Sequence, residues 1–145
     1  MTDTDFQKMN NDDRTFPGPK LFLVSGYDTD ALKTLRSFLN SMGYEDVAVK
    51  FCTAEQINDT LENVLTGDTI GEPVGSDRLP CTMLFSGLTP RDVKRVMGAF
   101  RESGLQRPIF ATTTPTNLEF TLKTLLLHLI EEQKAVLGNR PQPAP

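Results

Sequence analysis

The chain has 145 residues, about one domain's length. Its 15 basic and 19 acidic residues leave a net charge of −4, which argues against a strongly basic nucleic-acid binder. Hydrophobic residues make up 38 %, too many for a fully disordered chain, and no apolar run approaches the ~20 residues of a membrane helix.

Residues 1–19 are polar, rich in aspartate, and close on Pro17-Gly18-Pro19, so they read as a flexible N-terminal tail. They hold no apolar stretch of the kind a secretory signal needs. Leu21-Phe22-Leu23-Val24 is a short continuous apolar run, the pattern of a buried parallel strand. Residues 29–42 put Leu32, Leu35, Leu39 and Met42 on one helical face, and Gly43 stops the helix. Val47, Val49 and Phe51 alternate as a second strand. Residues 54–65 set Ile57, Leu61, Val64 and Leu65 on a second helical face. A linker, 66–80, leads to a third strand at Met83-Leu84-Phe85. Val93, Val96, Met97 and Phe100 mark a third helix, ended by Gly104. Ile109-Phe110-Ala111 is a fourth strand, and residues 115–137 form a long last helix. Residues 139–145, NRPQPAP, are a second tail, too proline-rich to continue it. The domain therefore spans 20–138.

The two halves, about 21–66 and 82–127, match each other. Shifted by 61 residues without gaps, residues 23–65 overlay 84–126 with nine identical pairs, among them Ser25/Ser86, Gly26/Gly87, Gly43/Gly104 and Thr60/Thr121. Chance at average composition gives about two or three. This points to a duplicated βαβα unit in a single three-layer α/β/α domain. Lys50 in the second strand and Pro108 before the fourth suit sheet edges, and the apolar first and third strands suit the centre. With right-handed crossovers the expected sheet is four-stranded and parallel, in the order 2-1-3-4. Helices one and four then share one face, and helices two and three the other.

Open parallel sheets bind ligands at the carboxyl ends of their strands, at the switch point. Here that would bring together Ser25-Gly26 and Ser86-Gly87, with Thr89 at the following helix start. Each turn leads into a helix N-terminus, where an anion could sit. The plainer account is that glycine permits the turn while Asp28 and Thr89 cap, and such turns are far commoner than ligand sites. The Thr112–Asn117 stretch offers Thr113, Thr114 and Asn117 around the last helix start, as either an anion site or a capped helix end.

Catalysis finds little support. The only histidine, His128, falls about 14 residues into the last helix, so ~20 Å from the switch point. The turns between strands and helices are too short for a lid, and the 66–80 linker is expected at the opposite pole. No metal-ligand cluster or cofactor motif stands in the sequence. Cys52 and Cys81 are too few and too far apart for a disulfide framework and read as packed side chains in a cytoplasmic protein.

From the third strand on, the text LFSGLTPRDVKRVMGAFRESGLQRPIFATTTPTNLEFTLKTLLLHLIEE, with Thr114-Pro115-x-Asn117 followed by an aromatic at Phe120, resembles domain-of-unknown-function family 3783, small bacterial and archaeal proteins. The resemblance covers residues 82–132 best and 21–66 more loosely. The family's aromatic is often Trp, where this chain has Phe120. The resemblance implies no activity, cofactor or partner, since the family has none assigned.

The expected function is thus a non-enzymatic α/β module acting through protein contacts, as a homodimer, with no nucleic acid or membrane partner. Its interface is expected on the last helix, at Phe120, Leu127 and Ile130, because that helix spreads apolar residues beyond one face. The alternative is a small-ligand or anion-binding regulatory domain using the Ser-Gly turns and the Thr112–Asn117 turn.

Overall fold

A computed structural model describes residues 14–69 and 71–139. Of the tails expected at 1–19 and 139–145, residues 1–13 and 140–145 lie outside the described residues. Four strands form one sheet: β1 (Leu21–Ser25), β2 (Ala48–Phe51), β3 (Thr82–Ser86) and β4 (Ile109–Thr112). Four α-helices cover it: α1 (Thr29–Ser41), α2 (Leu61–Thr66), α3 (Pro90–Ala99) and α4 (Leu122–Asn139).

The strand order is β2-β1-β3-β4, as expected. The sheet is not all parallel. β1 runs with β2 and β3 with β4, but β1 and β3 pair antiparallel, with Leu23 opposite Leu84. The apolar runs of β1 and β3 reflect burial under helices on both faces, and burial carries no information about direction.

Reversing β3 moves the helices. One core cluster gathers Phe22, Val24, Met83 and Phe85 under Leu35 and Leu39 of α1 and Val96 of α3. The other gathers Leu21, Leu23 and Leu84 under Leu61 and Leu65 of α2 and Leu122, Leu126 and Leu129 of α4. Helices one and three therefore share a face, and helices two and four the other, correcting the pairing expected for a parallel sheet. The 66–80 linker is also relocated. It delivers the chain to the carboxyl end of β1, where Ser25 Oγ donates to Pro80 O at 2.6 Å.

Several contacts of the two halves match under the 61-residue shift. Leu21 pairs with Ala48 as Thr82 pairs with Ile109. Across the β1–β3 seam, Ser25 Oγ bonds Pro80 O and Ser86 Oγ bonds Pro19 O, both at 2.6 Å. Gly26 packs on Cys81 and Gly87 on Lys20. These matched contacts are related by a local axis perpendicular to the sheet, as the antiparallel pairing centred on Leu23 and Leu84 requires.

The same correspondence breaks two expected helices. Residues 54–65 are not one helix but a short 3-10 turn, Ala54–Gln56, followed by α2. Residues 115–137 divide likewise into a 3-10 turn, Asn117–Glu119, and α4. The break occurs where Thr60 and Thr121 form an antiparallel bridge, with Leu61 N–H donating to Phe120 O and Leu122 N–H to Asp59 O, both at 2.8 Å. Each threonine then caps its own helix, Thr60 accepting from Asn63 N–H and Thr121 from Thr124 N–H. At the amino end, Phe16 N–H donates to Leu88 O at 2.8 Å and Thr113 Oγ1 to Pro17 O at 2.5 Å, so the ordered body begins before residue 20.

Candidate functional site

The Ser-Gly turns do not converge. In the antiparallel register Ser25 faces Thr82 and Ser86 faces Leu21, so the turns lie at opposite ends of the sheet, about 14 Å apart along the strands. Both serines are buried, and both hydroxyls bind the other half's proline carbonyl; Ser25 Oγ also lies 2.6 Å from Thr82 Oγ1. Gly26 and Gly87 adopt φ of +79° and +67°, which permits the close approach of the opposite strand's entry.

Thr89 is occupied at the start of α3. Its Oγ1 accepts from Asp92 N–H, and its own N–H donates to Asp92 Oδ2 at 3.0 Å. Asp92 also accepts from Tyr44 OH at 2.7 Å, and Arg95 stacks over the Tyr44 ring. Burial opposes ionisation of Asp92, but the bonds from Thr89 and Tyr44, with the charge of Lys20, hold its carboxyl below the ordinary range. Tyr44 moves the other way: burial, with the adjoining Asp92, pushes its phenol up to about 12. This network ties α1's end to α3.

The Thr112–Asn117 turn is closed on itself. Thr114 N–H donates to Asn117 Oδ1 at 2.8 Å, Asn117 N–H returns to Thr114 Oγ1 at 2.9 Å, and Asn117 Nδ2 donates to Thr112 O at 3.0 Å. Thr113 is fully buried, its hydroxyl on Pro17 O. The same reciprocal geometry recurs 61 residues earlier, where Thr53 N–H donates to Gln56 Oε1 at 3.1 Å.

What does open at this end is a cleft of about 440 Å³ between the β4 edge, the threonine turn and α4. Ala111, Thr114 and Asn117 line one side, and Phe120, His128 and Glu132 the other. His128 packs edge-on against Phe120, ring centroids 5.1 Å apart. The histidine is therefore beside the Thr112–Asn117 turn, not ~20 Å from it as a single helix from residue 115 would place it. The break at Phe120-Thr121 restarts the helix and brings His128 within two turns of its N-terminus.

Among the described residues the corresponding groove between β2 and α2 is occupied, and one residue difference accounts for the contrast. Position 50 corresponds to position 111. Lys50 Nζ donates to the carbonyls of Val64, Leu65 and Gly67, filling the groove between β2 and α2. Ala111 is too short to do so, and α4 runs on where α2 has ended. In the sequence Ala111 reads only as part of the fourth strand, His128 as remote from any site, and Glu132 is not singled out; the change from Lys50 to Ala111 between the halves is the signal that marks them.

The interface candidates separate. Phe120 is half-buried in the cleft. Leu127 is 52 % exposed, the large hydrophobic side chain left in solvent among the described residues, and Ile130 beside it is half-buried. Leu122, Leu125, Leu126 and Leu129 form the buried face. Cys52 and Cys81 are both buried; burial alone pushes the Cys52 thiol up to about 12, and burial raises Cys81 against an opposing bond from Tyr27. Among the described residues no three His, Cys, Asp or Glu side chains gather as a metal site, and no helix is long and apolar enough to cross a membrane.

Residues 82–136 match the model of a family described as Domain of unknown function (DUF3783), in agreement with the resemblance read at Thr114-Pro115-x-Asn117. The match runs from β3 into α4, so it takes in the whole cleft and leaves the first half outside. No curated protein and no solved structure matches the chain.

Proposed function

We propose that this chain, whose residues 82–136 match the DUF3783 family model, is a non-enzymatic α/β module that acts through protein contacts on its β4–α4 side. The observation that carries this reading is the contrast between two corresponding grooves: the one between β2 and α2 is filled by Lys50, while the one between β4 and α4 stands open at Ala111. An uncovered strand edge next to an unfilled groove is a surface that proteins cover or use. The reciprocal Ser–Pro bonds and matched registers support a duplicated βαβα unit as the origin of the two halves. On that account, the open groove is a departure from a shared plan.

Self-association around Leu127 and Ile130, on the outer side of α4, is a second form of the same reading. Leu127's exposure favours it. An anion-binding role draws less support, because the donors of the Thr112–Asn117 turn are used within the turn.

Photo-cross-linking tests the reading. A benzoyl-phenylalanine in place of Glu132 should give protein adducts in the native host, as should one in place of Leu127 if the chain self-associates. The same group at Lys33, on α1, should give none. Equal labelling at all three positions, or none at Glu132 and Leu127, would overturn it.

A further inference from the structure

We infer that the β4–α4 groove takes an extended segment of another protein, added as a fifth strand to the open edge of β4. The inference rests on the contact reading above and names the kind of partner.

Among the described residues, the backbone of β4 is half used. Ile109 N–H donates to Cys81 O at 2.9 Å, and Thr113 N–H to Phe85 O at 3.1 Å. In a parallel ladder alternate residues face the same neighbour, so the N–H groups of Phe110 and Thr112 point to the open side. The carbonyl of Thr112 is taken by Asn117 Nδ2. That bond ends the available edge and sets where an added strand must stop.

The groove is shaped for side chains as well as backbone. Beside the 440 Å³ cleft lies a second hollow of about 200 Å³, toward Ile109 and Gln133. The two share Phe110, Leu129 and Glu132, so they are successive stations along one strand edge. Alternate side chains of a strand fall on one face about 6.6–7 Å apart. Two side chains of an added strand, two residues apart in sequence, therefore reach the two hollows. Leu129 and Ala111 offer apolar walls, and Glu132, exposed and bordering both, places a negative charge where the hollows meet. The fitting segment is extended, apolar at alternate positions, and carries an adjoining Lys or Arg. Main-chain pairing supplies attachment in such complexes, and the side-chain pockets supply selectivity.

The test pans the immobilised full chain against phage-displayed random heptapeptides, then measures enriched synthetic peptides by fluorescence polarisation. Enriched peptides should alternate apolar residues and carry Lys or Arg. N-methylation at one alternating set of peptide nitrogens should weaken binding about tenfold or more, and at the other set by less than about twofold, because only one set faces β4. Ala111→Lys, which sets the long side chain of position 50 into the hollow, should weaken binding by about tenfold. Glu132→Lys, at an exposed position that can be changed without disturbing the core, should reverse the preference for basic peptides. Peptides that bind both variants as well as the parent, or that tolerate N-methylation in both registers, would overturn the inference, as would a library that enriches nothing. A chain that sediments at twice 16.1 kDa and becomes monomeric with Ala111→Lys would assign the added strand to a second copy and overturn the foreign segment. If peptide binding fails while cross-linking at Glu132 persists, the strand model falls and the contact reading stands; if both fail, both fall.

Discussion

Four glycines separate the cost of a backbone conformation from the cost of a collision. Gly26, Gly43, Gly87 and Gly104 all adopt positive φ, at +79°, +94°, +67° and +75°. An alanine Cβ at Gly43 or Gly104 would meet nothing within 4 Å. At Gly26 it would stand 2.6 Å from Cys81 Cα, and at Gly87 2.7 Å from Lys20 Cα. All four alanines incur the left-handed penalty of about 1–2 kcal/mol. At Gly26 and Gly87 the neighbour is backbone and cannot swing away, so the entry of β3 or β1 must move, adding about 1–3 kcal/mol by analogy with overpacked cores. The totals, about 1–2 against about 2–5 kcal/mol, are large beside the 5–15 kcal/mol that hold a domain folded. With a urea slope of about 2 kcal/mol per molar, Gly43→Ala and Gly104→Ala should lower the unfolding midpoint by about 0.5–1 M, and Gly26→Ala and Gly87→Ala by about 1–2.5 M, at constant slope. The paired sites should agree within about 1 kcal/mol of each other, because the same shift relates their surroundings. If Gly26→Ala costs no more than Gly43→Ala, the two halves do not clasp at the β1–β3 seam and the antiparallel register is wrong.

Leu126 and Leu127 are neighbours on α4 with opposite fates, 4 % and 52 % exposed. Leu126→Ala should destabilise by about 2–5 kcal/mol in thermal unfolding and Leu127→Ala by less than about 0.5 kcal/mol, and a reversal would mean that the helix is rotated. Burial raises the Cys52 thiol from 9.0 to about 12. A raised value means that its contribution is intact below pH 9 and lost as pH climbs from 9 toward 12, so stability should fall over that window more steeply in the parent than in Cys52→Ala. Disulfide-exchange reagents should reach Cys52 at pH 7 only on unfolding, and fast labelling of the folded chain would contradict its burial.

The strand order was legible because its cues are chemical and local. Lys50 and Pro108 mark edges, and the runs at Leu21–Val24 and Met83–Phe85 mark strands covered on both faces. The sense of β3 was not, since Phe22 or Phe85 buries equally well whichever way its strand runs. The repeat could not decide either, because two units related by an axis along the strands and two related by an axis across the sheet share one sequence pattern. The deciding clue lay in the 66–80 linker. A parallel return needs only about 2–6 residues, whereas reaching Ser25 at the far end of β1 needs a chain long enough to cross the sheet.

The candidate site follows the same logic one level down. Thr60 and Thr121 occupy equivalent positions, and both restart a helix after an interruption, yet an uninterrupted 3.6-residue period read across Phe120 carried His128 away from the turn it flanks. Periodicity detects which residues share a face within a helix and is blind to a bridge between two segments 61 residues apart. A symmetric pair of units buries its shared positions for shared reasons, and a position that one unit fills with lysine and the other leaves as alanine is free of that constraint. Lys50 satisfies three carbonyls at the end of α2. At Ala111 the helix overhead has no ended carbonyls to satisfy, so a lysine there would enter the hollow without those partners. The cleft is therefore a consequence of α4 being longer than α2, and the small residue beneath it keeps open a space that the longer helix created.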